Sequence, residues 1–368
     1  MITILYFQSS VKPPARQKFE GACGYGRKHG WTVQLIEPGK SEREAAKLVR
    51  FWAPKGVIVE CGPKLNHYDP AVFGQIPSVF IDRDPKSVEG KSPCVTHDSV
   101  ATAGVAAQEL LGLGLSEFAY VPWPEPRFWS GNRESGFAEA LRLKGFGYSR
   151  FSGKVKSSDV QALQKQLGKW LDGLPKPVGI FAANDYMALQ VAGAASRVGL
   201  AIPDDVALVG VDNDELICEN TCPTISSILP DFRLAGVKAA ELLDTMMRDG
   251  DHRPESQTFG PLRLVRRAST NRFKYSDGEV LAALERIRRE ACNGLTAREV
   301  IAGFSCSRRT AEIRFRNATG KSPLEAIQEV RRVRAKELLA DRTRDRNAIA
   351  NLCGYSSANA LMNFLRRK

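Results

Sequence analysis

Four polar residues of this 368-residue chain stand directly after short apolar runs. Asp82 follows SVFI, Asn184 and Asp185 follow GIFAA, and Asp212 follows VALVGV. Runs of this length, bounded by Gly, Pro and Asp, have the character of buried parallel strands. Polar groups gathered at the carboxyl ends of such strands line a crevice and can hydrogen-bond a hydroxyl-rich ligand. Taken one at a time, the same residues could instead cap the helices or turns that follow. Ser9, Ser10 and Glu60 stand at other strand ends and are weaker candidates of the same kind.

Catalytic and metal chemistry find little support. The glycines of GACGYG do not have the spacing of a dinucleotide-binding turn, and there is no Walker A loop or GxSxG elbow. The four histidines (29, 67, 97 and 252) are isolated, and none of the eight cysteines forms a CxxC pair. The cysteines read as small buried side chains in a reducing compartment. No enzyme, no metal and no cofactor is expected.

A second set of candidates lies near the C-terminus. From Tyr275 to Lys368 there are 19 basic and 11 acidic residues, so two-thirds of the net charge of +12 sits in the last quarter of the chain. A local basic excess points to a polyanionic partner, nucleic acid ahead of a membrane surface. SRRTAEIRFRNATG reads as a helix opened by Ser307 and closed by Gly320, with Arg308, Arg309, Glu312 and Arg316 exposed and Ile313 and Phe315 in the core. Arginine can grip guanine O6 and N7, and a carboxylate can accept from cytosine N4. Arg308 and Arg309 therefore suggest a G in the first half of each site. Ser356, Ser357, Asn359, Ala360 and Asn363 form a second, less charged reading face, where Asn suits adenine and Ala a thymine methyl.

The elements that must position these residues divide the chain. From residue 1 to about 228, within a domain expected over 1–271, β-rich runs alternate with amphipathic segments, as in an α/β protein whose parallel sheets are covered on both faces. A linker is expected over 272–278, and residues 279–368 are helical in pattern throughout. Asn293-Gly294 marks a helix end. Thr296 and Glu299 make a capping box. Leu324, Ile327, Val330, Val333 and Leu338 suggest one stripe along a long helix that joins two helix-turn-helix units. No apolar run approaches the roughly 18 to 20 residues of a membrane span. The opening MITILYFQSS lacks a basic lead and a cleavage site, so a cytoplasmic protein is expected.

Residues 279 to 368 resemble the DNA-binding domain of the AraC/XylS family through SRRTAEIRFRNATGKSP, RAKELLA and IANLCGYSSANALMNFLRR. The family usually has Gly in the first turn where this chain has Ser305, and relatives continue past the position of Lys368 through a segment resembling GxSPxxYR. Residues 1 to 271 resemble the LacI/GalR regulators and the periplasmic sugar-binding proteins. That likeness rests on FAANDYMALQVAGAASRVGLAIPDDVALVGVDNDE, on the R-x-x-G-F-x-x-A-L pattern from Arg133 to Leu141, and on VTHDSVATAGVAAQELLGLG. A LacI-like body with an AraC-like tail resembles the xylose-responsive regulators.

The resemblance implies a two-lobed, periplasmic-binding-protein-like sensor, with crossovers near residues 115, 228 and 257, followed by an all-α domain with two helix-turn-helix units. It places sugar contacts on Asp98, Arg133, Asn184 and Asp212, with Asp185 a weaker candidate. Phe128 and Trp129, just before Arg133, could stack on a sugar or pack as core aromatics. The implied function is a homodimeric regulator of promoter DNA governed by a monosaccharide such as xylose, with RNA polymerase a partner if it activates. Its rivals are an exported solute receptor, a sugar or nucleotide enzyme, and a regulator answering to a purine.

Overall fold

In the computed structural model the described residues are 2–62, 65–88, 92–250, 254–271, 278–340 and 345–366. The chain divides into two compact units, Met1–Asn271 and Arg272–Lys368. Of the expected linker, only Gly278 lies among the described residues, and it begins a helix.

The first unit starts with β1 (Ile2–Phe7), α1 (Pro13–Lys28), β2 (Trp31–Ile36), α2 (Glu42–Trp52), β3 (Gly56–Glu60), β4 (Ser78–Ile81) and β5 (Cys94–His97). There follow α3 (Ser99–Gly112), β6 (Glu117–Val121), α4 (Phe128–Arg142), β7 (Ser149–Arg150), α5 (Val160–Asp172) and β8 (Val178–Ala182). The unit continues with α6 (Asp185–Arg197), β9 (Val206–Val211), α7 (Glu215–Cys218) and β10 (Ser226–Pro230), and ends with α8 (Phe232–Asp249), β11 (Gln257–Phe259) and β12 (Pro261–Val265).

These strands make two six-stranded sheets, in the orders β11-β5-β4-β3-β1-β2 and β12-β10-β9-β8-β6-β7. Every pairing is parallel except β10 with β12. Alternation along each strand feeds two cores per lobe. In β1, Ile4 and Tyr6 pack with Ala22, Ala235 and Leu243 of α1 and α8, while Leu5 and Phe7 pack with Ala45 and Val49 of α2. In the second lobe Val121 and Ile180 pack with Leu163 and Met187, whereas Tyr120 and Phe181 pack with Ala103 and Phe137.

The chain crosses between lobes at Asp98, Asp231 and Gly260, whereas residues near 115, 228 and 257 were expected. The first crossing comes early because α3 packs on α4 and on the second sheet, so the chain has already changed lobes when β5 ends. The crossings are tied by backbone bonds: Asp98 N–H donates to Phe259 C=O (2.8 Å) and Asp231 N–H to Gly260 C=O (3.2 Å).

Two glycine-marked helix contacts set the site's geometry. A Cβ on Gly236 would lie 1.8 Å from the Lys18 carbonyl oxygen, and one on Gly21 2.1 Å from that of Arg233. The GACGYG glycine at 21 therefore serves close packing of α1 on α8. A Cβ on Gly136 would lie 2.9 Å from Val100 Cα, so Gly136 lets α4 lie close on α3.

The second unit holds α9 (Gly278–Glu290), α10 (Ala297–Ile301), α11 (Arg308–Thr319), α12 (Pro323–Ala340), α13 (Arg346–Leu352) and α14 (Ala358–Arg366). Thr296 and Glu299 form the capping box, and Gly294 and Gly320 end their helices in left-handed conformations. Ser305 does not have a positive φ, so this turn accepts a residue other than glycine.

Helix α12 serves two cores. Ala326 and Ile327 pack with Val280, Ile301 and Phe315, while Ala335 and Leu338 pack with Ile349, Cys353 and Leu361. The single stripe read from the sequence is corrected here, because Leu324 and Val333 are about half exposed. At about 100° per residue they fall on opposite sides of the helix. Among the described residues no helix is long and apolar enough to cross a membrane, and no group of three or more His, Cys, Asp or Glu is placed to hold a metal.

Candidate functional site

The carboxyl ends of the two sheets face each other across a cleft of about 410 Å³, within the range of small-molecule sites. From the first lobe Lys18, Asp82, His97, Phe232 and Phe259 reach it. From the second lobe come Arg127, Phe128, Trp129, Arg133, Asn184 and Asp212.

Lys18 projects from α1, where Gly21 and Gly236 let that helix sit close to α8. Its ammonium bonds to Glu60 Oε1 at 2.9 Å and to the carboxylate of Asp82. Burial alone would lower the Lys18 pKa, but Asp82 and Glu60 reverse this and raise it. Glu60 is fully buried and also accepts from the Ser9 amide at 3.1 Å, so it anchors the lysine beneath the cleft surface. Asp82 sits at the strand end with φ +59°, in the left-handed region that non-glycine residues rarely occupy.

Arg133 is the centre of the other wall. Its guanidinium donates to the Ala183 carbonyl and to His97 Nδ1 (2.9 Å), lies 3.9 Å from Asp212 Oδ1, and stacks over the Trp129 ring at 5.0 Å. Asp212 is one-third exposed and has φ +106°. Desolvation raises its pKa to about 6, with Arg133 and Lys18 acting in the opposite direction. Two aspartates in left-handed conformations on opposite walls are local strain of the sort found at binding sites.

Of the sequence candidates, Arg133, Asn184, Asp212, Phe128 and Trp129 line the cleft. Asn184 also caps α6, its Oδ1 accepting from Met187 N–H at 3.0 Å. Asp98 and Asp185 do not line it. Asp98 caps α3 by accepting from Ala101 N–H at 2.9 Å, and its backbone forms a lobe crossing. Asp185 is buried behind the wall, accepting from Ser227 Oγ–H (2.5 Å) and Asp214 N–H (2.7 Å). Burial and then Asp212 push its pKa up to about 8. Lys18, His97 and Arg127 were missed. Lys18 lies within an ordinary helical pattern, and only the fold brings it to Glu60 and Asp82.

In the second unit, Ser307 Oγ accepts from Thr310 N–H at 3.3 Å and opens α11. Arg308, Arg309, Glu312 and Arg316 are exposed along it, and Arg308 Nε bonds Glu312 Oε1 at 2.9 Å. Phe315 is fully buried. Ile313, expected in the core, is instead 51% exposed, because Ala311 and Phe315 occupy the inward positions. On α14, Asn359 and Asn363 are exposed, as is Ser356 before it, while Ser357 Oγ accepts from Ala360 N–H at 3.2 Å. The Asn347 side chain ties α13 to α14 by accepting from Ala358 N–H at 3.1 Å.

Comparison with known proteins agrees with this layout. Residues 107–270 match the periplasmic binding protein-like domain and residues 301–368 a helix-turn-helix domain. The chain is similar to the xylose operon regulatory protein of Escherichia coli K12, at 25% identity over 363 residues, which is 97% of this chain and 91% of that protein. A solved structure of the xylose-binding transcription activator XylR is similar over 99% of this chain and 94% of its own, with TM-score 0.64 and 24% identity. A dimeric Lac repressor is similar over 73% of this chain and 98% of its own, with TM-score 0.56 and 19% identity. The chain thus joins a periplasmic binding protein-like domain to a helix-turn-helix domain.

Proposed function

We propose that the first unit binds a monosaccharide, a pentose such as xylose, between its lobes, and that the second unit binds promoter DNA under its control. The observation that carries the sugar reading is the set of groups in one cleft. Asp82, Asp212 and Arg133 offer charged partners for ring and hydroxyl oxygens, and Phe128, Trp129 and Phe232 offer apolar faces. Asn184 adds an amide at the same rim. Asp98 acts from the crossing and Asp185 from behind Asp212, supporting the contacts without making them. The relatives that match nearly the whole chain carry xylose in their names, which favours that pentose.

In this reading sugar binding favours the closed arrangement of the lobes, and the shift is limited by the sugar's differential affinity for the two states. The chain acts as a homodimer in the cytoplasm, as the likeness to a dimeric repressor supports. Each second unit sets α11 and α14 into successive major-groove segments, and RNA polymerase is the further partner if the outcome is activation. The protein performs no catalysis.

The test is calorimetric titration with xylose, arabinose, ribose, glucose and hypoxanthine, followed by binding to the promoter region upstream of its own gene. Saturable xylose binding, with DNA binding that responds to xylose and weakens steeply with salt, is the expected result. Hypoxanthine binding without sugar binding would overturn the sugar reading.

A further inference from the structure

The outermost position of α11 carries an apolar side chain. Ala311 and Phe315 are fully buried and fix the side of this helix that faces the core. At about 100° per residue, the direction opposite to that pair falls on residue 313. Arg309 and Arg316 flank it on one side and Thr310 and Asn317 on the other, and all four are exposed. Ile313 therefore stands at the centre of a polar, cationic face. Single exposed apolar residues are common on proteins. This one is distinguished by its place beside two arginines, in the unit with the larger share of the charge excess.

We propose that Ile313 is a base-reading residue that packs against the C5-methyl of a thymine in the major groove. The inference rests on the reading of α11 as a DNA-recognition helix. Each base pair displays hydrogen-bonding groups in the major groove, and the thymine methyl is the apolar feature among them. An isoleucine can neither donate nor accept, so it reads a position by that methyl or not at all. Its β-branched side chain is restricted to essentially one rotamer in a helix, which holds its methyl groups at a defined place. Arg309 and Arg316 beside it supply attraction to phosphate or guanine, and Ile313 discriminates at the adjacent base pair.

The experiment uses the full chain, with and without xylose. Preferred duplexes are first selected from a random-sequence pool, and each thymine of the selected site is then replaced by uracil, which deletes the methyl and leaves the pairing edge unchanged. For the unaltered protein, one such replacement per recognised half-site weakens binding about fourfold, the worth of one buried methyl-sized group. Ile313→Ala weakens binding to the thymine duplex by a similar factor and no longer distinguishes thymine from uracil there, while Ile313→Val keeps part of the discrimination. If Ile313→Ala retains the full uracil penalty at every thymine, or if no thymine shows a penalty, the proposal fails. Unchanged DNA binding with loss of transcription activation would place Ile313 against a protein partner and also overturn it. If no duplex is selected at all, it is the DNA-binding reading of the unit that fails.

Discussion

Arg133 Nη2 donates to His97 Nδ1 at 2.9 Å, joining α4 of one lobe to the end of β5 in the other. A guanidinium carries only donors, so Nδ1 is the acceptor and the ring proton sits on Nε2. That nitrogen is 2.8 Å from Thr102 Oγ1, which in turn donates to the Asp98 carbonyl at 2.9 Å. Burial first, then Arg133 and Lys18, hold the His97 pKa well below its ordinary value, so the ring stays neutral. A hydrogen-bonded path therefore runs from the first lobe crossing to the arginine that faces the cleft.

Replacing Arg133 by Lys should break this path. An ammonium cannot reach the Ala183 carbonyl and His97 with the geometry of a planar fork, nor stack on Trp129 in the same way. Leaving buried acceptors unpaired costs ~1–3 kcal/mol. Urea unfolding should show that loss, and calorimetry should show xylose affinity reduced at least tenfold. Wild-type stability and affinity in Arg133→Lys would remove the arginine from its central role.

Asp212 should make ligand binding depend on pH. With its pKa raised to about 6, the carboxylate becomes a full acceptor only as pH rises through that value. Xylose affinity should therefore tighten between pH 5 and 7.5, and Asp212→Asn should flatten that slope. The unliganded protein should respond in the opposite sense. A raised carboxylate pKa means that the folded state binds the proton more readily, so this residue's contribution to stability falls as pH rises from about 3.8 to about 6. Asp212→Asn should then be at least as stable as wild type at pH 7.5 while binding sugar less well.

Helix packing and ligand affinity should be coupled at Gly236. A Cβ there meets the Lys18 backbone, so the two helices must separate, and any part of that shift taken by α1 moves Lys18 relative to Glu60 and Asp82. Gly236→Ala should destabilise the first unit by ~1–3 kcal/mol. Thermal unfolding should detect this, and affinity should fall even under conditions where the variant stays folded.

The two units should fail separately. Phe315→Ala removes the largest fully buried side chain from the core shared by α9, α11 and α12, a loss of ~3–5 kcal/mol. DNA binding should disappear while calorimetric xylose binding persists. Simultaneous loss of both would contradict the division of the chain into separately packed units.

Periodicity and end signals alone identified the alternating sheets, the capping box at Thr296, the helix ends at Gly294 and Gly320, and the two short helical units. These are local consequences of side-chain pattern and backbone freedom, so a linear reading can find them. Strand-end position likewise singled out Asp82, Asn184 and Asp212, because parallel strands deliver their last residues to one edge. Tertiary structure decided the rest. Lys18 becomes a cleft residue only because Gly21 and Gly236 admit close helix packing and because Glu60 and Asp82, 42 and 64 residues away, arrive beside it. His97 gains its role from an arginine in the other lobe; Asp98 is turned away from the cleft by the local amide of Ala101, and Asp185 by the amide of Asp214, 29 residues on. Which face of α11 is buried depended on where α9 and α12 lie, and that placement left Ile313 outside.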